Sequence, residues 1–184
     1  LAKQFKKNGV LPLDSTYFQP YQFPINTFRG KIKVAADGKK LRPGHDFVIS
    51  LSSKAVDGTF PLKYLPDTIS SVTGFAKVAE AYKDSGYYLV TTYFPRSLYG
   101  KTIDGIEGVV VIEMKTPGWH VSNGDTVQQT TWLKFRKPAL SNNAKTITIR
   151  AKNTFEPAFE TQNVLGMVRG KLYPDRYISF SAHY

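Results

Sequence analysis

A chain of 184 residues with 41% hydrophobic and 21% charged residues is globular in composition, and long enough to bury roughly 70% of its unfolded surface without a metal or disulfide staple. The lack of cysteine excludes thiol catalysis, cysteine-ligated zinc and a disulfide framework. No apolar run reaches the roughly 18 residues of a membrane-spanning helix, and a net charge of +11 favours anionic partners.

Lys3, Lys6 and Lys7 precede no apolar stretch, so the start of the chain does not read as a signal peptide. Residues 1–27 are expected to form an extended arm. Pro12, Pro20 and Pro24 punctuate its aromatic residues and leave no helical period. Residues 28–184 then make a single domain. Strands are predicted over 28–34 and 47–51, with a hairpin turn at Asp37-Gly38, and over 87–94. The spacing of Val72, Phe75, Val78 and Tyr82 predicts one short helix over 74–82. In 107–114, Val109-Val110-Val111-Ile112 is continuously apolar, as expected of a central strand covered on both faces. Further strands are predicted over 126–135, 145–151, 166–173 and 177–180. The sum is a mainly β protein, a two-sheet antiparallel β-sandwich with a jelly roll as one form of it.

The chemistry offers few handles. His45, His120 and His183 have no spacing that would place two imidazoles on one face, so neither a metal site nor a cofactor is expected. Ser122, His120 and Asp125 contain the side-chain types of a hydrolase triad but lack the elbow glycines around the serine. Glu107 and Glu113 would stand about 20 Å apart along one strand, too far for a glycosidase pair at roughly 5–9.5 Å. Glu156 and Glu160 flank Pro157 and are read as part of a loop anchored by Phe155 and Phe159. The segment around Trp119, His120, Asn123 and Asp125 mixes an indole with hydrogen-bonding groups and is the best small-ligand candidate, for a glycan.

Cations fall at every second position of several strand-like runs: Arg29, Lys31 and Lys33; Lys134 and Arg136; Arg150 and Lys152; Arg169 and Lys171. Strand side chains alternate faces, so each set is expected to project from one side of a sheet as a surface for polyanions or other subunits. With no catalytic constellation, the reading is a non-enzymatic virion structural or attachment protein. Its role would be that of a capsid, tail or fibre component of a virus or bacteriophage, located in the virion or outside the cell. It would self-associate or contact other virion subunits, and meet nucleic acid or cell-surface glycan through its basic face. The alternative is a monomeric carbohydrate-binding module or adhesin domain using Trp119.

Overall fold

The computed structural model describes residues 1–113, 124–137, 139–141 and 143–183. In chain order the elements are α1 (Ala2–Lys7), β1 (Phe18–Thr27), β2 (Lys33–Ala36), β3 (Lys39–Leu41), β4 (Phe47–Ile49), β5 (Val56–Tyr64), α2 (Val72–Glu80), β6 (Tyr88–Thr91), β7 (Gly108–Glu113), β8 (Thr131–Arg136), β9 (Thr146–Ala151) and β10 (Thr154–Val164). They make a mainly β protein with two sheets, a pair β1-β10 and an eight-stranded sheet ordered β3-β2-β9-β5-β6-β7-β8-β4. The chain divides into two compact units, one of residues 1–23 with 159–184 and one of residues 24–158.

In the unit of residues 24–158 the large sheet is a nearly closed barrel, neither a clear sandwich nor a jelly roll. The expected all-antiparallel pairing is corrected: β5, β6, β7 and β8 run parallel, and only the flanking ladders of β2, β3, β9 and β4 are antiparallel. The burial pattern agrees with that pairing, because parallel strands are normally covered on both faces. On β7, Val110 and Ile112 enter a cluster with Leu133, Phe135, Ile147 and Ile149, while Val109 and Val111 turn the other way to meet Trp132, Leu89 and Phe75. The second cluster includes α2, where Phe75 and Ala79 lie one turn apart on the buried side. Ser71 starts that helix by accepting a hydrogen bond from Gly74 N at 3.0 Å. The predicted helix is thus present, shifted slightly toward the N-terminus.

The turn at Asp37-Gly38 is also present. Both residues have positive φ, 44° and 79°, and Ala36 faces Lys39 across it, the two-residue hairpin loop that matches strand twist. The strand expected over 28–34 is confined to its last two residues and continues to Ala36. The segments 126–130 and 166–180 contain no named strand. Val168, Tyr177, Ile178 and Phe180 stand open to solvent, so the alternation read there has no sheet to cover it.

In the unit of residues 1–23 with 159–184, α1 is a helix where an extended arm was expected. Gln22 Nε2 donates to Glu160 Oε1 at 3.1 Å, Asn163 Nδ2 donates to Gln19 Oε1 at 3.0 Å, and Phe23 meets Phe159 edge-on. The expected loop at 155–160 is therefore a correction. It belongs to β10, and Phe155 is exposed instead of anchored in the core. Prolines 20, 24 and 157 are tolerated because each strand of a two-stranded ribbon needs hydrogen bonds on one edge only.

Candidate functional site

The basic face is built by the β2–β3 hairpin lying against β9. Val34 and Ala36 of β2 and Ile147, Ile149 and Ala151 of β9 are buried in the core, which turns Lys33, Ala35, Thr148 and Arg150 to the opposite side. The register then sets them in rows. Lys33 faces Arg150, which faces Asp57 of β5; Lys40 faces Ala35, which faces Thr148, which faces Thr59. The two threonine hydroxyls are 2.8 Å apart. Lys31 and Lys152 lie just beyond the strand ends and, with Lys33 and Arg150, line a hollow of about 510 Å³. Arg150 Nε stands 3.3 Å from Asp57 Oδ1, with both side chains more than half exposed. Such a pair contributes about 0–1 kcal/mol and yields readily to a competing carboxylate.

Four of the nine expected cations are therefore gathered in one place. Of the others, Arg136 lines a neighbouring hollow and the remaining four are dispersed. Arg29 lies outside any strand and pairs with Glu156 at 2.8 Å. Arg169 and Lys171 are exposed, outside any strand and within the other unit. Lys134 is a correction to the exposed row: it is 8% exposed, and its ammonium lies 4.1 Å from the ring centroid of Phe94 and 4.7 Å from that of Tyr99. Alternation does put it on the face opposite Leu133 and Phe135, but that face is covered by the Trp132 cluster instead of water. Arg136 ends β8, half-buried, and its backbone N–H donates to Asp46 O at 3.0 Å. Trp119, His120 and Asn123 lie outside the described residues, and Asp125 is exposed.

Three cations were missed. Lys39, Lys40 and Arg42 follow the hairpin turn and, with Arg136 and His45, line a second hollow of about 510 Å³ beside β3. The signal was legible as Asp37-Gly38 followed at once by a basic return strand. The carboxylate of this hollow, Asp46, is already engaged. The Arg42 side chain beside it holds its pKa well below the usual carboxylate range, with help from the Arg42 backbone N–H at 2.7 Å and His45 Nδ1 at 2.7 Å.

Elsewhere in this unit Glu107 is bound by Lys54 at 3.2 Å, and Asp104 by Lys83, whose ammonium lowers the carboxyl pKa and is itself raised by that contact. Among the described residues no three His, Cys, Asp or Glu side chains come together in an arrangement that could hold a metal ion.

The sequence matches no described protein family and no curated protein. Solved structures do share the fold. An aminopeptidase from Aneurinibacillus sp. strain AM-1 aligns over 93% of this chain and 41% of its own, with TM-score 0.61 and 16% identity. A peptidase M28 precursor from Shewanella amazonensis SB2B aligns over 92% of this chain and 44% of its own, at TM-score 0.58 and 13% identity. The zinc aminopeptidase BSAP from Bacillus subtilis aligns over 93% and 40%, at TM-score 0.53 and 13% identity. The chain thus spans about two fifths of the length of the proteins it resembles, and at these identities the likeness is one of fold alone. These neighbours overturn the virion reading, with its capsid, bacteriophage and host-attachment associations, together with its adhesin alternative. They also overturn the expected non-catalytic role, since each of them is a peptidase. The sequence reading failed because patterned strands and a basic surface are common to many folds.

Proposed function

We propose that this chain is one portion of a peptidase of the aminopeptidase kind, the portion that carries and presents polypeptide to a catalytic centre held by the remainder of the enzyme. The observation carrying this reading is the alignment of 93% of the chain on 41% of an aminopeptidase. A zinc centre such as that of the Bacillus neighbour does not fit the described residues, where His, Asp and Glu are scattered or tied to lysine and arginine. Among the described residues, binding and orientation of polypeptide are therefore the contribution that the side chains support.

The test is to express the complete gene product that contains these residues and to measure hydrolysis of an aminoacyl p-nitroanilide, before and after chelation and with zinc returned. Hydrolysis that is lost with the chelator, regained with zinc and altered on excision of this portion supports the reading. A gene product with no such hydrolysis overturns it.

A further inference from the structure

The outer face of the β3-β2-β9 ladder is more than a scatter of surface lysines. Three hollows follow one another across it and share walls: one of about 510 Å³ containing Lys33 and Arg150, one of about 360 Å³ containing Lys33, Arg150 and Lys40, and one of about 510 Å³ containing Lys40 and Arg42. Lys31 and Lys152 stand at one end of this belt, and Lys39 and Arg136 at the other. Its lining carboxylates are Asp57 and Asp46. The first is paired with Arg150 and the second with Arg42 and His45, so the belt as a whole is strongly cationic.

We propose that this belt binds an acidic polypeptide segment. The lining between the cations decides the class of partner. It is aliphatic or hydroxylic, offered by the part-exposed Ile32, Ala35 and Thr148, and no Phe, Tyr or Trp lines any of the three hollows. Nucleobases find no ring to stack on there, which is the main sequence-tolerant contact that single-stranded nucleic acid makes. An extended peptide alternating carboxylates with aliphatic side chains suits both parts of the surface: the carboxylates meet Lys33, Lys40 and Arg150, and the aliphatic groups meet the floor. β3 also ends the strand order, so among the described strands its outer edge has no partner, and extended backbone is the partner such an edge accepts. The inference is about binding and stands or falls independently of the peptidase reading.

The test measures fluorescence anisotropy of a short fluorescein-labelled peptide alternating glutamate and valine, titrated with this chain. The expected result is saturable binding that weakens as sodium chloride is raised, and weakens roughly tenfold or more in the double variant Lys33→Glu with Arg150→Glu. Lys171→Glu, in the other unit, should leave binding unchanged. If the double reversal lowers the melting temperature, Lys40→Ala with Lys152→Ala replaces it and should still weaken binding. The proposal is overturned if the glutamine counterpart of the peptide binds equally well, or if a folded belt variant binds as the parent does. It is also overturned if a single-stranded oligonucleotide or heparin of equal charge binds more tightly than the peptide, which would make the partner a nucleic acid or a glycan.

Discussion

The ring of Tyr88 occupies the space into which a side chain on Gly108 would project. The two face each other across the parallel β6–β7 ladder, and Thr131 of β8 faces Gly108 from the other side, so the phenol lies across the glycine toward the threonine. Tyr88 is fully buried, 4.6 Å from Phe60 between ring centroids, and burial raises its phenol pKa. The Thr131 hydroxyl opposes part of that rise, but neither the Tyr88 hydroxyl nor Thr131 Oγ1 makes a hydrogen bond of normal length among the described residues. A methyl group at position 108 must displace a buried ring, and Gly108→Ala is expected to lose about 1–3 kcal/mol in urea denaturation. Tyr88→Phe removes a hydroxyl that makes no hydrogen bond of normal length and is expected to stay within about 1 kcal/mol of the parent. A reversed order of the two effects would show that the hydroxyl, not the ring, is what the row depends on.

Asn26 ties together three segments of the unit of residues 24–158. Its side-chain amide donates to Leu51 O at 2.5 Å and Ser53 O at 2.9 Å, and its carbonyl accepts from Asn153 Nδ2 at 2.7 Å. The residue is fully buried, so removal strands polar groups that water cannot reach. Asn26→Ala is expected to cost roughly 2–3 kcal/mol. Asn26→Asp should cost more at neutral pH, because a carboxylate would then confront two carbonyl oxygens, and part of that excess should vanish in acid as the carboxyl protonates. Thermal melts of both variants across pH provide the check.

Asp37 sets up an acid dependence of stability. Its carboxylate accepts from Lys145 N, Thr146 N and Thr146 Oγ1 at 2.9–3.1 Å, and the backbone N–H groups are the leading cause that lowers its pKa. A depressed folded-state pKa means that the contribution is fully present above the ordinary carboxyl value and is lost as pH falls through the lower folded value. Asparagine accepts the same positive φ and keeps an acceptor oxygen without the charge. The melting temperatures of the parent and Asp37→Asn should therefore differ at neutral pH and converge on acidification. A gap independent of pH would assign the effect to shape instead of charge.

Lys134 and Phe94 should be energetically coupled. In a double-mutant cycle of Lys134→Met and Phe94→Leu, the coupling free energy is expected at about 0.5–2 kcal/mol, the range of a partly desolvated cation over a ring. Additive losses from chemical denaturation would show that the two side chains only share space.

Much of the local structure was legible. The run Val109–Ile112 announced a strand covered on both faces, Asp37-Gly38 announced a hairpin, and Phe75 with its helical-period neighbours announced α2. Arg150 projects from the side of β9 opposite the buried Ile147 and Ile149, as the spacing of the cations led one to expect, because period two is a property of the strand itself. The Lys134 position obeyed the same alternation and still misled. Which face a side chain takes is local, but whether water or a packed aromatic cluster covers that face is decided by distant residues such as Phe94, Tyr99 and Phe75.

What the sequence determined by itself is therefore a mainly β chain, its principal turn and helix, and which residues of an isolated strand share a side. Pairing direction, the gathering of Lys33, Lys40 and Arg150 into one belt, and the likeness to peptidases came only with the tertiary structure. The physical reason is range: side-chain alternation and turn conformation are fixed within a few residues, whereas parallel pairing joins strands such as β6 and β7 across connections whose course leaves no periodic trace in composition.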